Sequence, residues 1–243
     1  MKDNVTRGVR RNVRTIKVMD LPITKSIIAI NVAIFVMTQW IARSSSTPIS
    51  QNNLALNALL LHEGEWWRLF TAGFLHFSIL HIGMNMAIFY RLGETFERTL
   101  GPWRYIGLFT VCLLGGSAGS VLLDPVVARV GGASGAVFGL AAAAVVALRQ
   151  RGVSFNSTQW GPLLLINLVI TFVIPGISKG GHLGGLAFGL VAGAILLHPR
   201  RRGRSLTKDL LILFALAALA VALAYVFLKM RSTEIDGILR LFQ

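Results

Sequence analysis

Apolar residues run through this chain in seven blocks set apart by short polar punctuation. The blocks lie near residues 26 to 42, 74 to 91, 103 to 123, 133 to 148, 160 to 177, 182 to 198 and 209 to 228. Crossing a hydrocarbon layer takes roughly 20 predominantly apolar residues as helix, and fewer where a helix ends below the surface. Gly101-Pro102, Asp124-Pro125, Gly161-Pro162 and Pro175-Gly176 fall at the block ends, where such pairs punctuate helices. The pattern predicts an all-α polytopic membrane protein with seven transmembrane helices. Residues 1–23 form a basic tail, 24–198 a six-helix core, 199–208 a basic linker, 209–228 the seventh helix and 229–243 a terminal tail. The longest connection, residues 43 to 73, opens with RSSSTP and carries NLALNALLL, which is apolar but too short to span. That stretch suits the membrane interface, as do the rings of Trp66 and Trp67.

A second periodicity overlies the first. Gly131, Gly135, Gly139, Ala143 and Ala147 fall every fourth residue on the fourth helix, and Gly181, Gly185, Gly189 and Gly193 do the same on the sixth. Small residues at this spacing let membrane helices approach until their backbones nearly touch, so the two stripes are expected to face each other. Ser134 and His182, each one residue from a stripe and each near the same end of its helix, then share one layer. Both helices are short, about 16 and 17 residues against roughly 20 for a full span. They should end beneath the outer surface around a hydrophilic pocket, because non-helical backbone at that depth needs protein or water about it.

Composition agrees. Of 243 residues, 54% are hydrophobic and 14% charged, and the mean hydropathy of +0.65 is too high for an ordinary soluble domain. A net charge of +14 would suggest nucleic acid in a soluble protein. Here its placement reads as orientation: with the N-terminus in the cytoplasm, 17 of the 24 Lys and Arg fall inside. The positive-inside rule therefore selects a cytoplasmic N-terminus and an external C-terminus, and the chain is expected in the cell membrane. The basic clusters meet anionic lipid, and no nucleic-acid partner is required. Cys112 is alone and mid-helix, which excludes an intramolecular disulfide. The Arg-rich, acid-poor start is compatible with an organellar transit peptide, although we read it as a cytoplasmic tail.

Polar groups inside a membrane are expensive and mark function by default. Those singled out are His76, His81 and Asn85 on the second helix, Ser134 on the fourth and His182 on the sixth. A single buried serine usually packs a helix; five such groups in the outer halves of three helices ask for more. His81 and Asn85, four apart, share a helical face, whereas His76 sits about 140° away at roughly 100° per residue and braces the loop. A metalloprotease pattern is incomplete, since HEGEW at 62 to 66 lacks its second histidine. Zinc on His76, His81 and His182 would have no neighbouring carboxylate as base, and an aspartyl mechanism would need a paired carboxylate that the spans do not supply. A nucleophilic serine with a histidine base needs only Ser134 and His182 within hydrogen-bond reach, and neither metal nor cofactor.

HFSILHIGMN at 76 to 85, GETFERTLG at 93 to 101, GGASG at 131 to 135, GGHLGGLAFG at 180 to 189 and the earlier Trp67-Arg68 resemble the signature segments of the rhomboid intramembrane serine proteases. The resemblance covers helices one to six and makes the seventh an addition, a six-plus-one arrangement. It implies Ser134 as nucleophile and His182 as base, with an oxyanion hole from the Ser134 N–H, His81 and Asn85. Phe138, one turn on from Ser134, would pack against His182 where some relatives carry tyrosine. Gly132, Gly135 and His76 would support the site, and Glu97 and Arg98, in the turn after the second helix, would be structural braces. The implied partners are the lipid bilayer and proteins with transmembrane helices, cut at a site opening to the external side, with the fifth helix moving to admit them. Two other classes stay open. One is an inactive relative that binds membrane clients; the other is a transporter, which should show inverted repeats that this chain lacks.

Overall fold

The computed structural model describes residues 21–41, 51–199, 203 and 205–241. Residues 1–20 of the basic tail, RSSSTP at 43–48, Arg200–Arg202 and Arg204 lie outside the described residues. The described residues fold into helices, loops and an isolated β-bridge between Leu56 and Val130. The longer helices are α1 (Pro22–Val36, prolonged by a π-helical turn Met37–Ile41), α2 (Ile79–Leu100), α3 (Pro102–Leu123), α4 (Ser134–Arg149), α5 (Trp160–Val173), α6 (Lys179–Leu196) and α7 (Leu206–Met230), followed by the short α8 (Ser232–Arg240).

Among the described residues, four helices are long and apolar enough to cross a membrane: α1 as Pro22–Gln39, α3, α6 and α7. Arg68–Phe74 and α2, bent by 95° at a short break, together make a fifth candidate. The remaining apolar helices, α4 and α5, are shorter, at 16 and 14 residues.

The helix boundaries follow local chemistry. α2 starts at Ile79, not near 74, because Ser78 holds extended backbone and its hydroxyl accepts the His81 N–H. It runs on to Leu100, past the apolar block, since Leu92, Gly93, Phe96 and Glu97 are buried on one face; Gly101 at φ 76° and Pro102 then end it. α5 stops at Val173, short of the expected 177. Ile174 precedes Pro175 and takes the extended backbone that a following proline favours. α6 begins at Lys179 because Ser178 caps it, accepting the Gly181 N–H at 2.8 Å.

α6 sits between α4 and α3, held on both sides by glycine. The expected seam with α4 is present: a methyl at Gly185 would overlap Gly135, one at Gly189 would overlap Gly139, and one at Gly193 would lie 2.6 Å from Ala143 Cα. A second seam joins α6 to α3, where Gly180 and Gly184 meet Gly115 and Gly119 backbone to backbone. The motif GGSAG at 115 to 119 carried that signal in the sequence.

Polar ties fix the periphery. Glu97, 2% exposed, takes the N–H groups of Ile23 and Thr24 at 2.8 and 2.9 Å and the Thr24 hydroxyl at 2.6 Å, so the brace expected of it ties α2 to the first turn of α1. Arg98 pairs with Glu94. α7 packs along α3, anchored by Arg104 to Asp209 at 2.7 Å, and Arg231 donates to the carbonyls of Val121 and Asp124 at the end of α3. The stretch NLALNALLL is folded and packed against the helices. It forms Gln51–Leu54 and Ala58–His62, the latter capped by Asn57, and buries Leu56 and Leu61 in a cluster with Ala224, Leu228 and Ile235. Buried Arg68 fastens this loop by donating to the Ala55 carbonyl at 2.7 Å and pairing with Glu65. Trp67 stays 55% exposed, and Trp66 packs on Tyr225.

Candidate active site

Ser134 opens α4, directly after a loop whose Gly132 N–H is held by the Ala72 carbonyl at 2.8 Å. As a first-turn residue its backbone N–H has no partner within the helix, and the positive end of the helix dipole lies beside it. His182 occupies the first turn of α6. The seam between the two helices brings these ends together, and Ser134 Oγ stands 2.8 Å from His182 Nε2.

The imidazole is fixed from two more directions. Phe138 stacks on it with ring centroids 4.1 Å apart and planes inclined by 19°. On the other ring nitrogen, Nδ1 lies 2.6 Å from Oγ1 of Thr171, a fully buried residue of α5. Thr171 is not among the polar groups singled out from the sequence. Its signal was the pair Asn167 and Thr171, four apart on one face of LLLINLVITFV.

α2 supplies the opposite side. His81 and Asn85 share a face, and one Asn85 amide N–H goes to the His81 carbonyl at 3.0 Å, leaving the second for another acceptor. Gly132 makes room for His81. At φ 134° it holds backbone that favours glycine, and a methyl there would come within 2.8 Å of His81 Nε2. Gly135 lies where α3, α4 and α6 converge; a methyl on it would meet the Gly181 carbonyl and the Gly116 Cα. His76 is placed differently from expectation. It belongs to the loop before Ser78, not to α2, so its angle around that helix has no meaning. Fully buried, it sets its ring edge-on to His81 at 4.8 Å and lies 3.5 Å from the Ala133 N–H, bracing both the loop and the His81 ring.

Ser134, His182, His81, Asn85 and Phe138 line a cavity of about 1120 Å³ together with Asp124 and Ser178. Its wall is mainly apolar and also carries the polar side chains of Asn167 and Lys179. Asp124 does not reach toward the histidine. Its carboxylate accepts from the Ser178 hydroxyl at 2.5 Å and the Gly180 N–H at 3.1 Å, securing the start of α6. A hydroxyl on an imidazole nitrogen, beside a free helix N-terminus and further N–H donors, is an arrangement able to support acyl transfer.

Comparison with known proteins points the same way. A family profile described as Rhomboid domain matches residues 63–199. The chain is 33% identical over 201 residues to rhomboid protease GluP of Bacillus subtilis, covering 82% of this chain and 39% of that protein. It is 34% identical over 175 residues to RHOMBOID-like protein 5 of Arabidopsis thaliana, covering 65% of this chain and 56% of the relative. Inactive rhomboid-related protein 2 of Caenorhabditis elegans is 30% identical over 174 residues, covering 67% and 49%. The chain thus spans less than two thirds of the length of each of these relatives.

Proposed function

The chain belongs to the rhomboid family, and from that premise we propose that it is an intramembrane serine endopeptidase. It hydrolyses a peptide bond in or near the external end of a substrate's transmembrane helix. The observation that carries this reading is the 2.8 Å approach of Ser134 Oγ to His182 Nε2. The serine oxygen attacks the scissile carbonyl while His182 Nε2 takes its proton. The imidazolium returns that proton to the leaving amine, and a water deprotonated by the same nitrogen then releases the acyl group. The Ser134 N–H, His81 and the free amide N–H of Asn85 hold the oxyanion. Phe138 keeps the imidazole in plane, in a dyad without an acid.

In this reading all seven apolar helices span, α4 and α5 included, with the N-terminus cytoplasmic, the C-terminus external and the site opening outward. Substrate enters from lipid past α5, a helix that buries only Trp160, Gly161 and Thr171. An inactive relative among the similar proteins keeps a client-binding role as the second reading. Incubation with a model transmembrane substrate in detergent, together with a fluorophosphonate probe, decides between them. The protease reading expects cleavage and labelling by the native chain and neither by Ser134→Ala. Full cleavage by Ser134→Ala overturns it, and a folded native chain that neither cleaves nor labels favours client binding.

A further inference from the structure

We propose that Thr171 is a positioning residue that sets the tautomer of His182, a role that rests on the protease reading above. The Thr171 hydroxyl carries one proton and has two close polar neighbours, the Asn167 carbonyl at 2.8 Å and His182 Nδ1 at 2.6 Å. A carbonyl only accepts, so the proton goes to Asn167, one turn earlier on the same helix. Toward the imidazole the hydroxyl oxygen is then left as acceptor, and Nδ1 must be the nitrogen that bears hydrogen. Nε2 consequently keeps its lone pair and receives the Ser134 hydroxyl at 2.8 Å.

Each donor in this chain has one acceptor: Ser134 O–H to Nε2, Nδ1–H to Thr171 Oγ1, Thr171 O–H to the Asn167 carbonyl. The reverse tautomer would set Nε2–H against the serine and leave Nδ1 facing an oxygen whose proton is already committed. Thr171 is 0% exposed and His182 7%, so solvent is poorly placed to substitute for the missing acceptor. When Nε2 takes the serine proton, the same oxygen keeps accepting from Nδ1–H of the imidazolium, so the contact persists through proton transfer. A neutral hydroxyl thereby does the orienting work that a carboxylate performs in an acid-containing triad.

The two catalytic groups sit on α4 and α6, held together by the glycine seam, whereas this contact comes from α5. The base is therefore in the productive tautomer when the end of α5 is docked, and withdrawal of α5 releases it.

The test compares two opposite trims of Thr171 in the full-length protein in detergent. Thr171→Val keeps shape and loses the oxygen; Thr171→Ser keeps the oxygen and loses a methyl. For a transmembrane substrate, Thr171→Val should lower kcat about ten- to hundredfold with little change in KM, and Thr171→Ser should restore most of it. The ¹⁵N signals of His182 should show a protonated Nδ1 in the native chain and Thr171→Ser, and a tautomer mixture in Thr171→Val. Native kcat in Thr171→Val, or equal loss in both variants, overturns the proposal by making the contact incidental or only packing. Ser134→Ala is run alongside: if it still cleaves, the dyad reading fails, whereas an inactive Ser134→Ala beside a fully active Thr171→Val removes the role of Thr171 alone.

Discussion

The Phe138 ring lies over the His182 imidazole at 4.1 Å, nearly parallel to it and one helical turn from Ser134. A stacked pair of this kind contributes about 0.5–1.5 kcal/mol beyond the area it covers. Phe138→Ala should therefore lower kcat about tenfold and leave the fold in place. Phe138→Tyr, which keeps the ring, should stay within a fewfold of native. Steady-state cleavage of a transmembrane substrate measures both, and an unchanged rate in Phe138→Ala would remove stacking from the account.

Gly132 separates the requirements of fold and chemistry. Its φ of 134° and its closeness to His81 leave no room for a side chain. If the proposed oxyanion hole holds, Gly132→Ala should displace His81 and lower kcat about a hundredfold, the usual consequence of losing one such donor. Asn85→Ala should fall in the same range. In both, KM should change little, and a rise in KM at constant kcat would place these residues in substrate binding instead.

The glycine seam predicts a contrast in stability. A methyl at Gly189 would enter the backbone of α4 at Gly139, where nothing flexible can yield. Gly189→Ala should destabilise by about 1–3 kcal/mol. Gly83 is also helical but has open space around it, so Gly83→Ala should be neutral or stabilising by up to about 1 kcal/mol. Thermal unfolding in detergent distinguishes them; equal melting temperatures would show that the seam tolerates widening.

Glu97 offers a test remote from the site. Its carboxylate takes two backbone N–H groups and a hydroxyl from the start of α1. Glu97→Ala leaves those donors buried and unmet, at about 1–3 kcal/mol each. The expected outcome is a clear fall in melting temperature, partly restored in Glu97→Gln, which keeps one acceptor oxygen.

Helix content and the meeting of Ser134 with His182 were legible because both rest on periodicity. Apolar block length predicts helices, and two four-residue stripes predict which helices touch. Boundaries were less legible where one residue's backbone decides. Ser78 shortens α2 from its start and moves His76 into a loop; Pro175 withdraws Ile174 from α5. The second glycine seam was present as GGSAG but falls in a third block read only as a span. Thr171 was hidden for another reason: a threonine that bonds its own helix carbonyl passes for an apolar residue, and its partner is visible only once α5 is docked.

The two glycine seams around α6 also limit how this protein can change. With backbone pressed on backbone along both flanks, neither α4 nor α6 can be resized to suit a different client without separating the serine from the imidazole. On the protease reading, variation in what is cut would fall to residues of α2, α5 and the loops that border the cavity, and a search for altered selectivity should place its libraries there.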